Sequence, residues 1–381
     1  GDKVRITAQL IQVNDQTHLW ADTYDVNSQD AITVQEQVAA KVAQSLAMEL
    51  LPATNPETNK GDTRIAEAHE SYLKGLYLWN KRTDLNKSID YFKDATEKDP
   101  RYAIAYSALA NAYLRSFMFN SNHEPFDVIG PRARAAAQRA VELNDGLSET
   151  HAALASVEMW LEWNWPEAGR EFKRAIALNP NHSQVHHDYS WFLVSMGRAD
   201  EAINEIKLAQ KLDPLSPLTN SDVGWIYLLA RRYDEATDQI KRTLELEPNY
   251  GSALGCLEKA YELKGMFSEA VEISKKELVA SGASNEDISS LVKPDPKQTL
   301  INFKRRGLDR MTGLDDMTNP RPFPVASLYI SLGDKEKAFA WLEKALSRRD
   351  THMVSIKVDA SMDNLRDDPR FESLLQRMKL N

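Results

Sequence analysis

The stretch HSQVHHDYSWF, His182 to Phe192, gathers His182, His186, His187 and Asp188 within two helical turns. Imidazole nitrogens and a carboxylate are the donor types that bind zinc. Helical spacing argues against a shared ion. Consecutive residues on a helix diverge by about 100°, so His186 faces a partner helix while His187 is turned away from it toward the inner side. No metal or cofactor is expected. A second concentration, Trp160, Trp163 and Trp165, offers either an aromatic cage or a packed turn between helices, and the packed turn is the simpler reading. The acidic pairs Asp200-Glu201 and Asp234-Glu235 fall at helix starts, where carboxylates complement the helix dipole. The sequence lacks G-x-S-x-G, H-E-x-x-H, G-x-x-x-x-G-K-[ST] and a strand-linked G-x-G-x-x-G. Catalysis is not expected of this chain.

What positions these residues is a repeat. The prolines Pro214 and Pro248 lie 34 residues apart, and so do the residues before them: Ala202, Ile206 and Ala209 against Ala236, Ile240 and Thr243. Upstream, Tyr189-Ser190 and Leu193 stand opposite Val223-Gly224 and Tyr227. Small residues let two helices approach, bulky ones fill the space between them, and proline ends the second helix. Further copies run from His69 to Pro100, Ala103 to Asp145, Ser148 to Pro180, Gly251 to Gly282 and Asn319 to Asp350. That makes seven. The second is expected to be interrupted by a loop near Asn120 to Pro131, and the sixth is weak, with Glu277 where a small residue belongs. One such unit cannot bury its own apolar face, whereas a stack can.

The bulk properties agree with a water-facing array. The chain has 381 residues, 42% hydrophobic and 27% charged, with a net charge of −9. That balance, with an isoelectric point near 5.5, argues against direct nucleic-acid contact, which favours a basic face. No stretch approaches ~18 uncharged apolar residues, so no membrane span is expected. The first residues are charged and strand-like, unlike a signal peptide. The single cysteine, Cys256, lies in an apolar helical pattern and reads as a small buried side chain.

The repeated pattern closely resembles the tetratricopeptide repeat (TPR), and the ends of the chain extend the resemblance. GDKVRITAQLIQVNDQTHLWADTYD, Gly1 to Asp25, alternates apolar and polar residues as a hairpin does. It resembles the end of the TolB-like amino-terminal domain that precedes such repeats in bacterial multidomain regulators. YLKGLYLWNKR at Tyr72 to Arg82, the run from Glu162 to Arg198, and DDPRFESLLQRM at Asp367 to Met378 are also similar to that family. The first half of the TolB-like domain and the family's effector modules (DNA-binding, kinase or cyclase) have no counterpart in the sequence. The expected organisation is a TolB-like α/β fragment over 1–51 with a hairpin and a helix to about Leu51, then a linker over 52–66. A mainly α, right-handed TPR superhelix follows over 67–350, irregular at 283–318, and a capping segment over 351–381, with VSIKVD extended and a last helix from Pro369. The unpaired hairpin edge suggests a homodimer. The compartment is undecided between cytoplasm and, with an upstream membrane segment, periplasm.

The resemblance implies that the first helix of each pair lines a concave groove. The inward positions are Asn111 and Arg115, Ser156 and Met159, His187 and Trp191, Ser221 and Trp225, and Lys259 and Glu262. Trp191 and Trp225 occupy equivalent sites one repeat apart, suited either to an extended peptide or partner helix or to packing between repeats. The expected function is a protein-interaction or sensor module of a bacterial signalling or transcription regulator. The alternatives are the regulatory arm of a kinase or nucleotide cyclase, and an envelope or pilus assembly scaffold.

Overall fold

The structure, a computed structural model, describes the backbone of residues 3–11 and 18–27 and the whole of residues 63–81, 84–119, 125–313 and 321–380. The chain divides into two units, Gly1–Lys60 and Gly61–Asn381. In the first, β1 (Lys3–Ile11) and β2 (His18–Asn27) pair antiparallel, Lys3 opposite Asn27 and Leu10 opposite Trp20, with a register irregularity between Leu10 and Ile11. The helix expected to about Leu51 and most of the linker lie outside the described residues.

The second unit is a superhelical array of helix pairs, built from α1 (Ala66–Lys81) with α2 (Leu85–Lys98) and α3 (Ala103–Phe119) with α4 (Phe126–Leu143). Next come α5 (Ser148–Val157) with α6 (Trp165–Leu178), and α7 (Ser183–Ser195) with α8 (Ala199–Leu212). They are followed by α9 (Pro217–Leu229) with α10 (Tyr233–Leu246), and α11 (Gly251–Leu263) with α12 (Phe267–Ala280). The irregular pair α13 (Asn285–Leu291) and α14 (Pro296–Thr312) precedes α15 (Pro322–Ser331) with α16 (Lys335–Ser347). Among the described residues no helix is long and apolar enough to cross a membrane.

The connections follow from local chemistry. Several first helices end in a left-handed glycine, Gly197, Gly265 and Gly333, each with φ of 73° to 80°. The next amide closes the turn, as Arg198 N–H does to Leu193 O at 2.9 Å, so the orphan carbonyls of the helix end are satisfied. Small residues set the helix approach. Ala168, Ala175, Ala202, Ala209 and Ala236 are fully buried, and a Cβ added to Gly224 would lie 2.4 Å from Ile240.

Two local expectations change, and one helix end departs from a regular α-helix. The interruption in the second pair is shorter than expected, because α4 begins at Phe126 and carries Pro131 inside it. The third pair is one residue longer than the fourth and fifth, and the extra residue is absorbed by a π-helical turn, Glu158–Glu162, at the end of α5. Beyond Asp350 the chain is not extended. It makes two 3₁₀ turns, Thr351–Ser355 and Ala360–Leu365, before α17 (Pro369–Arg377). The alternation of Val354, Ile356 and Val358 suggests a strand. Asp350 and Asp359 instead cap turns by accepting from His352 N and Ser361 N, and Met353, Val354, Ile356, Met362 and Leu365 enter the core.

Candidate protein-interaction groove

The first residues of the first helices form a repeated latch. His151 Nε2 lies 2.8 Å from Asp145 O, His186 Nε2 lies 2.9 Å from Pro180 O, and Asn220 Nδ2 donates to Pro214 O at 2.9 Å. Each reaches the carbonyl six residues upstream and so ties its helix to the incoming turn. The other ring nitrogens lie 2.5 Å from Glu171 and Glu205, carboxylates on the second helix of the same pair. The Glu205 carboxylate lifts His186 above the ordinary histidine range. At His151 burial opposes that rise, and the hydrogen bonds to Glu171 and Asp145 O outweigh it. The three histidines of the opening stretch therefore go three ways, His182 to Ser148 Oγ at 3.0 Å, His186 to Glu205, and His187 inward. Among the described residues no three His, Cys, Asp or Glu side chains gather to hold a metal ion.

His187 begins a polar ladder across successive first helices. Its Nδ1 lies 2.8 Å from Asp188 Oδ1 and its Nε2 2.8 Å from Asp222 Oδ2, on α9. Burial alone would push this ring down, yet the two carboxylates hold its pKa at about 10. Trp191 Nε1–H donates to the same Asp222 oxygen at 3.0 Å, and Ser156 Oγ–H reaches Asp188 Oδ2 at 3.4 Å. One repeat on, Trp225 Nε1–H and Ser221 Oγ–H both donate to Ser252 Oγ at 3.0 Å. From sequence, Asp188 is weighed only as a metal donor, and Asp222 and Ser252 are not singled out. The 34-residue offset between Asp188 and Asp222 was the available signal. Burial lifts the Cys256 thiol well above its ordinary range, and the nearby Asp222 adds to it.

The inward positions divide by exposure. Met159, Ser156, Ser221 and His187 are buried, Met159 and Ser221 completely, which removes both from contact with any partner. Asn111, Arg115, Trp191, Trp225, Lys259 and Glu262 are half-buried and present surface. The Arg115 guanidinium sits 4.5 Å over the Trp79 ring, and Glu262 pairs with Lys304 of α14. The Trp191 and Trp160 rings lie 6.1 Å apart. Because both indole N–H groups on the ladder already have partners in the next repeat, what Trp191 and Trp225 offer outward is aromatic surface.

Residues 325–352 match the tetratricopeptide repeat family. That stretch runs from Val325 in α15 through α16 to His352. Over 164 residues the chain is 26% identical to "Putative adenylate cyclase 3" of Rhizobium meliloti (strain 1021), a match covering 42% of this chain and 28% of that protein. The chain thus spans less than a third of that relative's length. Among solved structures it is similar to a thermophilic TPR protein of Thermus thermophilus at 19% identity, covering 51% of this chain and 98% of that one, with a TM-score of 0.43. A tetratricopeptide repeat protein from Parabacteroides merdae covers 82% of this chain and 99% of its own at 13% identity, with a TM-score of 0.43.

Proposed function

We propose that this chain is a protein-interaction scaffold whose first helices take an extended peptide or a partner helix, as the sensor or docking module of a bacterial signalling or transcription regulator. The observation that carries the reading is the pair of half-buried tryptophans, Trp191 and Trp225, one repeat apart and each locked by its indole N–H to the next repeat. Locked aromatic faces bind with little loss of side-chain freedom, which is what makes tryptophan a frequent binding hot spot. The resemblance of Gly1 to Asp25 to the end of a TolB-like domain supports placing the array in a regulator.

The test is capture of a partner from the source lysate by the full chain, then titration of that partner against a Trp191→Ala, Trp225→Ala variant of unchanged helicity. Truncating two hot-spot tryptophans costs ~2 kcal/mol or more each, ~4 kcal/mol together, so binding weakens by roughly a thousandfold. An unchanged affinity would place recognition elsewhere. A second reading, the regulatory arm of a nucleotide cyclase, is favoured by the similarity to the Rhizobium protein. It requires cyclase activity in the complete gene product to respond to the same tryptophan variant.

A further inference from the structure

The tryptophans of the helical array fall into two groups. Three already carry a cation on a ring face. The Arg115 guanidinium lies 4.5 Å over Trp79, the Arg349 guanidinium 4.3 Å over Trp163, and Lys344 Nζ 3.9 Å over Trp341. Trp165 is buried and offers no face to water. The other three, Trp160, Trp191 and Trp225, are half-buried, and among the described residues none has a cation over its ring. These three keep company. The Trp160 and Trp191 rings, 6.1 Å apart and inclined at 58°, make a corner, and Trp225 takes the site of Trp191 one repeat on.

The same helices set negative charge beside the rings. His187 is one cation between two carboxylates, Asp188 and Asp222, so the trio keeps a net negative charge. The Asp188 side chain is still 20% exposed. It stands three residues before Trp191, on the same face of α7. Trp191 Nε1–H donates to Asp222, and a hydrogen bond to a carboxylate pushes electron density into the indole. That strengthens the negative π face, which in tryptophan is already the best aromatic surface for a cation. Basic residues bound the run on both sides. Lys259 stands at the next equivalent site after Trp225, and Arg115 occupies Trp79.

We propose that the occupant of the groove is a basic, extended segment of a partner protein, with one arginine or lysine in the Trp160–Trp191 corner and a second, three residues away, over Trp225. The assignment rests on the first helices being the binding face. Neighbouring helices pack ~8–10 Å apart, and three residues of extended chain span ~10 Å. Cations at i and i+3 therefore meet successive first helices. Arginine fits better than lysine, because a planar guanidinium stacks on an indole while its edge donates to a carboxylate, here Asp188.

The probe is a glycine–serine peptide carrying two arginines three residues apart, titrated calorimetrically against the full chain. Salt at about 0.15 M screens its long-range attraction to a chain of net charge −9. It should bind at least tenfold more tightly than the same peptide with glutamine at both positions. In Trp191→Phe, Trp225→Phe, which keeps aromatic rings but weakens their pull on a cation, the preference should fall to threefold or less. Equal affinity for the two peptides, a preference that survives in the variant, or no measurable binding of the arginine peptide each overturns the proposal. A partner captured from lysate separates this inference from the groove reading. If its affinity falls with Trp191→Ala, Trp225→Ala but not when its own arginines and lysines are changed to glutamine, the groove stands and the basic occupant is wrong. If the tryptophan variant leaves its affinity unchanged, the groove reading itself fails.

Discussion

His187 is a cation enclosed between two carboxylates, and its energetics set the stability of the middle of the array. Its folded pKa of about 10 stands above the ~6.5 of an unfolded chain. The stabilisation is therefore complete below pH 6.5 and is lost as pH rises through 10, because the folded state binds the extra proton. Replacing the ring by an uncharged side chain strands Asp188 and Asp222 beside each other. Removing one partner of a buried ion pair costs ~3–5 kcal/mol, and Asp188 retains some water, so His187→Gln should fall toward the lower end of that range. Urea midpoints at pH 6, 8 and 10 check it. The wild type should lose its advantage over the variant across that interval, and a constant difference would mean that the imidazolium is absent. Sequence spacing alone separated His186 from His187, because 100° per residue is a property of any helix. It did not reveal the partners, because a residue's neighbour in the next repeat depends on how far the two helices are rotated.

At the scale of the helix pair, α11 and α12 are the exception that the sequence marks, since Glu277 stands where the pairs before it place Ala209 and Thr243. Burial, then the neighbouring Glu258 carboxyl, push Glu277 up to about 7. Burial raises Glu258 in turn, so the two share a proton near neutrality. A carboxyl whose folded pKa lies above its unfolded value destabilises progressively as pH rises from about 4.5 to 7. Glu277→Ala should therefore gain about 1–2 kcal/mol at pH 8 and almost nothing at pH 5, the linkage being discounted for the water that still reaches the carboxyl. Equal gains at the two pH values in chemical denaturation would refute the shared proton. The helix pairs themselves were legible because proline, glycine and small-residue positions recur every 34 residues and each has a steric cause. The π turn of α5 was less so. One extra residue in the third repeat is countable, but where the helix absorbs it depends on packing against Trp160 to Trp165. The 3₁₀ turns after Asp350 were misread because period-two alternation signals a strand only when a partner strand exists, and the apolar residues there bury against helices instead.

Across the whole molecule, stability is unevenly distributed. The helices α5 to α10 bury long runs of apolar and small side chains, whereas α13 is a seven-residue helix that buries only Ile288. The closing contacts of the C-terminal block, residues 321–380, join residues more than a hundred positions apart. No periodicity announces such contacts, which is why the sequence suggested only a terminal cap. In a stack held by nearest-neighbour interfaces, the pair with the smallest buried face opens first. That pair is α13–α14, immediately before the block, so opening there leaves α5 to α10 intact. Native-state hydrogen exchange should show amides of Asn285–Leu291 opening at about 2–3 kcal/mol less than those of α9, roughly a fiftyfold difference in rate under fast-reclosing conditions. Limited proteolysis should cut first between 283 and 313, leaving a resistant fragment that contains α5 to α10. If α13 proves as protected as α9, the array unfolds as one cooperative unit, and the pair α13–α14 is irregular only in sequence.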